Sequence, residues 1–227
     1  SGSAWTLPAP NIYGELVAFD DGTGPACYTF GSSDQSGAAP MLRFANGQWS
    51  PVGPPLHGNP TNNIVRLAAS FDDGGGPALF IAGGIDAAGP YPIHGIARWN
   101  GQLWSQAGTD LAYPVRALAL YDDGRGPKLY AALDLSSSPF AADIQVLDSG
   151  QWRSIGNGGL RRIVALAAHD DGAGSALYAA GLGPASQAIA RWDGVSWTTV
   201  AQGLAAEIYT LASLPSPGGG SLFVGGD

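Results

Sequence analysis

The chain reads FDDGGGPALF at residues 71–80 and IARWNGQLWS at residues 96–105, and these two stretches decide its fold. The first recurs as FDDGTGPACY at 19–28, as YDDGRGPKLY at 121–130 and as HDDGAGSALY at 169–178. The first aspartate of each copy lies at 20, 72, 122 or 170, so the steps are 52, 50 and 48 residues. Self-similarity at a fixed spacing predicts a fold built from one repeated supersecondary unit.

Each unit predicts four short strands, which we name a, b, c and d in chain order. Strand a is the apolar stretch before the acidic turn, as at Val115–Tyr121, and strand b follows the turn, as at Ala78–Ala82. Strand c is Ile96–Trp99 in the second unit, and strand d carries a Trp after an Asn-Gly, Asp-Gly or Ser-Gly dipeptide. Such dipeptides are typical of tight hairpins because they tolerate a positive φ. Four antiparallel strands in about 50 residues is the period of a β-propeller blade.

The two ends of the chain predict a fifth blade that they share. Ile208–Leu211 and Leu222–Gly226 match strands a and b of the fourth unit, although the turn between them lacks the acidic pair. Ser3–Leu7 has the pattern of a strand d without the preceding strands. No strand c is found for this blade. Either it has three strands, or the chain is truncated, or another molecule supplies the strand, and an uncovered edge would favour association.

The expected fold is therefore an all-β, five-bladed β-propeller with about four antiparallel strands per blade. Its ring is closed by the N-terminal strand joining the C-terminal blade. We expect a single domain over residues 1–227, with blades at about 13–53, 64–108, 115–156, 163–201, and 208–227 plus 3–7.

Composition and charge restrict the possible functions. The chain holds 10 basic and 18 acidic residues, a net charge of −8, which argues against nucleic acid as a partner because binding it needs clustered Lys and Arg. No apolar run approaches the roughly 20 residues of a membrane span, so we expect no membrane insertion. Cys27 is the single cysteine and gives neither a disulfide framework nor a cysteine metal site. Low Lys with abundant Gly, Ser, Thr and Trp favours an extracellular or bacterial cell-surface location.

The consensus of the unit, DDGxGPALY followed by IARWNGxxWS, resembles the tandem propeller repeats of large bacterial secreted or surface proteins. In size and blade number the chain is also similar to five-bladed propeller lectins of the tachylectin-2 type. The resemblance implies the fold and specifies function only weakly, because propellers host binding, scaffolding and catalysis alike. The adjacent aspartates depart from the Asp-x-Asp-x-Asp-Gly calcium loop of integrin-type propeller repeats, so no metal or other cofactor is expected.

The connections between strands fall into a regular and an irregular set. The a–b and c–d turns hardly vary among units, whereas the b–c connection covers 31–40 in the first unit, 83–95 in the second and 182–187 in the fourth. In a blade, the b–c and d–a connections lie at one face of the ring. Irregular loops on a rigid scaffold are where recognition usually resides, so we expect the functional site at this face.

Side chains in the irregular connections combine aromatic rings with amide, carboxylate and cationic groups. This set suits carbohydrate, because a ring stacks on a sugar face while polar groups bond its hydroxyls. The predicted ligand-binding residues are Asp86, Tyr91, His94, His57, Asn62, Tyr113 and Arg161. A structural alternative stays open for each of them: the tyrosines cover sheet ends and the asparagines cap turns.

Two repeated residue types have a structural and a functional interpretation. The strand-d tryptophans could form equivalent sugar sites, but packing between adjacent blades is favoured. They are Trp5, Trp49, Trp104, Trp152 and Trp197. In each acidic turn, one Asp is explained by bonding to the backbone, and the second could collect Ca²⁺ or Mg²⁺, although a solvated turn is favoured. Without these eight turn aspartates, 10 acidic and 10 basic residues remain, so the opposite face is expected to be nearly neutral and to suit an uncharged ligand.

The sequence predicts a non-catalytic binding module for a glycan or protein ligand, with carbohydrate recognition at the irregular face. We expect a monomer that could associate through its incomplete fifth blade. One alternative is a structural or protein-interaction scaffold, possibly a fragment of a larger repeat protein. A weaker alternative is a glycoside-acting hydrolase that uses Asp86 with Asp34. Three histidines in different units and the absence of any known catalytic motif predict no catalytic residues.

Overall fold

The computed structural model describes residues 12–31, 34, 36–58, 67–111, 113–135, 141–216 and 219–227, with side chains from residue 15 onward. The described part is all-β. The chain divides into two compact units, Ser1–Asp110 and Leu111–Asp227, which are taken here in turn.

The first unit contains two antiparallel sheets that follow the predicted repeat, and a third that does not. Its strands are β1 (Ile12–Asp20), β2 (Pro25–Gly31), β3 (Ala38–Ala39), β4 (Met41–Ala45), β5 (Gln48–Pro51), β6 (Leu56–Gly58), β7 (Leu67–Asp72), β8 (Pro77–Ala82), β9 (Ile85–Ala88), β10 (Tyr91–Pro92), β11 (Ile96–Trp99) and β12 (Trp104–Gln106). Repeat sheet 1 has the order β1-β2-β4-β5, and repeat sheet 2 pairs β7-β8-β11-β12. In each, consecutive repeat strands are hydrogen-bonded neighbours, as strands a to d of a blade should be.

The second unit contains two more repeat sheets and a two-stranded sheet. Its strands are β13 (Val115–Asp122), β14 (Pro127–Asp134), β15 (Ala142–Asp148), β16 (Gln151–Gly156), β17 (Arg162–Asp170), β18 (Ser175–Leu182), β19 (Gln187–Trp192), β20 (Trp197–Leu204), β21 (Ile208–Leu214) and β22 (Ser221–Gly226). Repeat sheet 3 is β13-β14-β15-β16, repeat sheet 4 is β17-β18-β19-β20, and β21 pairs with β22 alone among the described strands.

The predicted four-strand unit is confirmed in all four repeat sheets, and the architecture is propeller-like. The observed β11 coincides with the predicted strand c at Ile96–Trp99, and the other strands differ from prediction only at their ends. The pair β21–β22 contains both predicted strands of the fifth unit. Ser3–Leu7, the expected closing strand with Trp5, lies outside the described residues.

Strand b is the most buried strand of each repeat sheet. In β8 the side chains from Ala78 to Ala82 are fully inaccessible to solvent, and in β14 Leu129 to Leu133 expose 2% or less. A strand with neighbours on both edges and packing on both faces reads as a continuous apolar run instead of an alternating one. The apolar core of each of the two compact units is therefore centred on the strands b. This core supports the turns and connections at the ends of the sheets.

The third sheet of the first unit is formed by the connections themselves. The strands β3, β6, β9 and β10 pair in the order β10-β9-β6-β3, and we call them the loop sheet. The sequence did not predict that these connections pair with one another. Connections of this length carry many peptide groups that need partners near the core, and pairing with each other satisfies them.

Candidate functional site

The loop sheet presents one face to the core and the other outward. Its strands set Ala39, Leu56 and Ala88 side by side, and all three are buried in the core of the first unit. Side chains alternate along a strand, so the neighbouring row points away from the core. That row contains His57 beside Ala38 and Ala87, and all three are partly exposed. The small alanines leave the imidazole of His57 as the main polar group of the outer face.

A bulge in the loop sheet displaces Asp86. His57 pairs with Ala87 and Gly58 pairs with Ile85, so Asp86 has no partner residue opposite it in the ladder. Bulges of this kind re-aim a side chain, and the Asp86 side chain is exposed. The loop sheet thus brings Asp86 and His57, two of the predicted ligand-binding residues, onto adjoining strands.

Asp34 adds a carboxylate near the same imidazole. The hydroxyl and the backbone N–H of Ser36 donate to its Oδ1 at 2.5 and 2.8 Å, and the Ala38 N–H donates at 3.0 Å. The pKa of Asp34 is lowered, first by the Ser36 hydroxyl and then by the Ala38 N–H, with a smaller contribution from the nearby charge of His57. Asp34 is therefore held as a carboxylate within electrostatic reach of His57.

Tyr91 and His94 lie at the far edge of the loop sheet. Tyr91 pairs with Ala88 at the start of β10, and the residue is 52% exposed. The side-chain amide of Gln106 accepts a hydrogen bond from the His94 N–H at 2.9 Å and donates one to the His94 carbonyl at 2.8 Å. Sequence reasoning missed Gln106, because its position at the end of a strand d gives no sign that it binds a neighbouring loop.

The remaining predicted residues are not brought into the loop sheet. Asn62 lies outside the described residues. Tyr113 is half-buried and Arg161 is exposed, and both belong to the second unit. The backbone N–H of Arg161 donates to the Leu182 carbonyl at 2.7 Å, which joins a d–a connection to a b–c connection. The structure therefore places His57, Asp86 and Tyr91 on three strands of the loop sheet, with His94 two residues beyond its edge strand, and it places Tyr113 and Arg161 elsewhere.

A pocket of about 200 Å³ opens at the irregular end of the second unit. It lies between the d–a connection at 158–160 and the b–c connection at 184–186. The hydrogen-bonding side chains that line it are Ser186, Thr199 and Gln202, and none of its lining residues carries a charge. The Ser186 hydroxyl also accepts a hydrogen bond from the Gly203 N–H at 2.9 Å.

Sequence reasoning missed the three polar residues of this pocket. In the fourth repeat, strand d is β20, which extends to Leu204 and is eight residues long, whereas the corresponding β12 of the second repeat has only three residues. Thr199 matches Gln106 at the end of β12, and the extension beyond it carries Gln202 to the irregular end. The tryptophan that marks the start of strand d contains no information about where the strand stops.

Concave surface is also present at the opposite end of the first unit. A groove of about 670 Å³ lies against the acidic turn at Asp20 and Asp21, with Ser70, Pro77 and Asn100 on its other side. Concavity alone therefore does not single out the irregular end. The case for that end depends on the chemistry of its side chains.

The first aspartate of every acidic turn is used by the backbone. In the second unit of the repeat, Asp72 Oδ1 accepts the N–H of Gly74 at 2.9 Å and the N–H of Gly76 at 3.0 Å. Both glycines have a φ of 92°, a conformation that other residues rarely adopt. The turns at Asp20, Asp122 and Asp170 repeat these two bonds at 2.8 to 3.2 Å. This confirms the expected structural role.

The second aspartate, which the sequence left unexplained, binds an arginine of strand c. Asp73 accepts two hydrogen bonds from Arg98, Nε to Oδ2 and Nη2 to Oδ1, both at 2.9 Å. Arg43 lies 3.3 Å from Asp21, and Arg191 lies 3.3 Å from Asp171. The pattern ties these three turns to the middle of their own sheets, and we call it the turn clamp.

Tyrosine hydroxyls complete the turn clamp in two sheets. Tyr28 donates to Asp21 Oδ2 and Tyr178 donates to Asp171 Oδ2, each at 2.7 Å. Burial, and then the adjacent Asp21 carboxylate, raise the pKa of Tyr28 to about 12. Desolvation alone would raise the pKa of Asp21, but hydrogen bonds from Thr23 and Tyr28 outweigh it, so the net shift is downward. Both groups keep the protonation states that their hydrogen bond requires.

Repeat sheet 3 lacks this arrangement. Val146 occupies the place of the strand-c arginine opposite Tyr130, and Asp123 accepts a bond from the Arg125 N–H at 3.2 Å. Because three arginines belong with the turns, the rest of the chain has three more acidic than basic residues. The turns with their arginines thus account for five of the eight negative charges, and the neutrality of the opposite face stays a prediction. Among the described residues, no group of three His, Cys, Asp or Glu side chains is placed to hold a metal ion.

Two strand-d tryptophans, Trp104 and Trp197, pack against the preceding part of the chain, which agrees with the packing role favoured from the sequence. Trp104 Nε1 donates to the Pro54 carbonyl at 3.0 Å, and Trp197 Nε1 donates to the Ile155 carbonyl at 2.8 Å. The first bond reaches the connection that follows repeat sheet 1, and the second reaches β16 of repeat sheet 3. His169 is likewise a packing residue: it is 5% exposed, and its Nδ1 lies 3.0 Å from the Ser213 hydroxyl.

Comparisons with protein-family models and with curated proteins find no match to this chain. Within the described residues, no helix has the length and apolar character needed to cross a membrane. The function must therefore be argued from the residues of the chain itself.

Proposed function

We propose that the chain forms a five-bladed β-propeller in which Ser3–Leu7 joins β21 and β22 in the fifth blade. The support comes from the register of β21 and β22. Ile208 pairs with Gly226 and Leu211 with Val224, as Ile163 pairs with Gly181 and Leu166 with Ala179 in β17 and β18. The fifth unit thus starts as a blade of the same design.

We also propose that the protein is a non-catalytic module that binds an uncharged carbohydrate at the irregular end. The observation that carries this proposal is the pocket lined by Ser186, Thr199 and Gln202 without a charged residue. Hydroxyl and amide groups can each donate and accept, which matches the hydroxyls of a sugar. Gly158 and Gly159 in the lining let the ligand approach the backbone closely.

The pocket volume sets the size of the ligand group. About 200 Å³ is below the 300–1,000 Å³ typical of sites for drug-sized ligands, so the pocket suits one ring-sized group of a larger glycan. Tyr91 on the loop sheet offers a second, exposed aromatic surface for stacking. We expect weak binding per site and a role outside the cell or at a bacterial surface, where several glycan contacts can act together.

A glycan array, run with and without EDTA, tests the proposal. Thr199→Ala and Gln202→Ala should each weaken binding at least 5-fold. Thr198→Ala is the matched control, because Thr198 is the adjacent, exposed residue of β20 and does not line the pocket. Absence of signal in both arms would reject carbohydrate binding and favour a protein-interaction scaffold. Signal that EDTA abolishes would reject metal-free recognition.

The carboxylates near His57 keep glycoside hydrolysis as the weaker alternative. Asp86 is the residue predicted for that chemistry, and it is exposed on the bulge. Turnover of chromogenic glycosides that Asp86→Asn abolishes would replace the binding proposal with an enzymatic one.

A further inference from the structure

The chain contains three Asn-Gly dipeptides, at residues 46–47, 100–101 and 157–158. An asparagine followed by glycine is the pair that deamidates most readily, because glycine carries no side chain to hinder attack by its own backbone nitrogen. The sequence alone gives the three sites the same reactive pair. A difference in their reactivity must therefore come from the structure.

Hydrogen bonds hold the carboxamide groups of Asn100 and Asn157. The side-chain oxygen of Asn100 accepts the N–H of Gln102 at 3.0 Å and the N–H of Leu103 at 2.8 Å. The side-chain oxygen of Asn157 accepts the N–H of Gly159 at 3.0 Å. Each carboxamide is thus kept at an N–H two or three residues further on, as in an Asx turn, whereas deamidation needs it at the nitrogen of the next residue.

The glycines at these two sites are also closely packed. A Cβ placed on Gly101 would lie 2.8 Å from the backbone oxygen of Asp21, and a Cβ placed on Gly158 would lie 2.8 Å from the Cβ of Ala190. The peptide groups before these glycines therefore have little room to rotate. For Gly47, no atom of the described residues comes within 4 Å of the same point.

Asn46 and Gly47 form the two-residue tip of the hairpin between β4 and β5, where Ala45 pairs with Gln48. Their φ angles of 52° and 78° are those of a type I′ turn. Asn46 is exposed, and among the described residues no hydrogen bond holds its carboxamide. The tip therefore leaves this carboxamide and the nitrogen of Gly47 able to approach each other.

We propose that Asn46 is a site of spontaneous deamidation, which the structure selects among the three Asn-Gly dipeptides. The nitrogen of Gly47 attacks Cγ of Asn46, and the proton of this nitrogen leaves with the carboxamide nitrogen as ammonia. A five-membered succinimide remains. Water then adds to one of its two carbonyl carbons and opens the ring to aspartate or isoaspartate. This inference does not depend on the proposed carbohydrate binding.

The two products change the end of repeat sheet 1 in different ways. Both add one negative charge in a groove that Arg43 and Phe44 also line. Isoaspartate, in addition, leads the main chain through the former side chain and lengthens it by one carbon atom. Because the type of turn sets the register of a hairpin, this product should loosen the pair of Phe44 and Trp49, whose ring centroids lie 5.1 Å apart.

The test ages the full chain at about pH 8 and follows it by tryptic digestion and mass spectrometry. Trypsin places the three sites on separate peptides, 44–66, 99–116 and 154–161. Conversion at Asn46 should be at least about 10-fold faster than at Asn100 and Asn157, because these two sites must first open locally. In guanidinium chloride, where the bonds and the packing are lost, the three rates should agree within about 3-fold.

A matched variant assigns the reaction to the hairpin tip. Asn46→Ser keeps the turn, because Ser149 and Gly150 form the same tip between β15 and β16 with φ angles of 51° and 76°. Ion exchange should show that the acidic species of the aged chain disappears in Asn46→Ser and persists in Asn100→Ser. Equal rates at the three sites of the folded chain, faster conversion at Asn100 or Asn157, or an unreactive Asn46 would overturn the proposal.

Discussion

Replacing Asp73 by Asn tests whether the turn clamp stabilises the fold. Asp73 and Arg98 are joined by two hydrogen bonds of 2.9 Å, and their side chains are only 24% and 13% exposed. Asn keeps one acceptor for the Gly75 N–H but loses the charge and turns an NH₂ group towards the guanidinium. The Asp73→Asn change therefore removes the ion pair while it leaves the backbone turn intact.

The expected loss lies between two known ranges. Exposed ion pairs contribute about 0.2–1 kcal/mol, and hydrogen bonds to charged groups about 1.5–3 kcal/mol. Because the Asp73–Arg98 pair is bidentate but partly open to solvent, we expect a loss of about 1.5 kcal/mol. For a chain of this length, that corresponds to a fall in Tm of about 3–6 °C. Urea and thermal unfolding, followed by circular dichroism, measure both quantities.

A double-mutant cycle isolates the pair from other effects of substitution. Combining Asp73→Asn with Arg98→Met should give a coupling energy of about 1 kcal/mol, reduced in 1 M salt by screening. Asp123→Asn is the matched control, because Asp123 accepts a backbone bond and Val146 stands where the arginine would be. It should cost less than about 0.5 kcal/mol. Equal losses for Asp73→Asn and Asp123→Asn would refute the reasoning.

Three further predictions concern acid, packing and the tryptophans. The pKa of Asp73, like that of Asp21 and Asp171, is lowered in the folded chain, so the stability that Asp73 contributes is present above the ordinary value of 3.8 and is lost as the pH falls through the folded value. The Tm should therefore drop below pH 4, and it should drop less in Asp73→Asn. An equal drop in both proteins would contradict this. Gly158→Ala should destabilise by at least 1 kcal/mol more than Gly159→Ala in urea unfolding, since both have a positive φ but only a Cβ at 158 comes within 3.0 Å of the Trp197 ring. Trp104→Phe should destabilise the chain by about 1 kcal/mol more than Trp49→Phe in thermal unfolding. The first change removes the hydrogen bond to the Pro54 carbonyl, whereas the buried Trp49 Nε1 has no partner among the described residues. Equal losses would contradict the assigned bonds.

The positions of the strands could be predicted from the sequence because the local turn signals and the repeat spacing agree on them. The Asp-Asp-Gly turn, the Asn-Gly type hairpin and the apolar strand b recur with the same spacing, so an error in one copy is corrected by the others. The structure confirms the strand-d tryptophans Trp104 and Trp197 as packing residues for the same reason. A large aromatic ring that recurs at the same position in every copy indicates that this position lies in the interior of the repeat.

The candidate site was harder to predict because it is formed where the repeat breaks down. The pairing of β6 with β9 joins the connection after the first repeat to a connection within the second repeat, and neither has an alternating apolar pattern. Gln106 binds His94 through the backbone, which any residue in that place would offer. The turn clamp was missed for a different reason: Arg98 and Asp73 are 25 residues apart and meet only after strands b and c have paired.

The loop sheet has an evolutionary consequence. Its four short strands are joined to one another by main-chain pairing, and its inner side chains are anchored in the core. The residues of the outer row, such as His57 and Ala87, hold the strands together through their backbone, so the identity of their side chains matters little for the pairing. Mutations there can accumulate without loss of the frame, so related chains could present different chemistry on an unchanged support and acquire new ligands one substitution at a time.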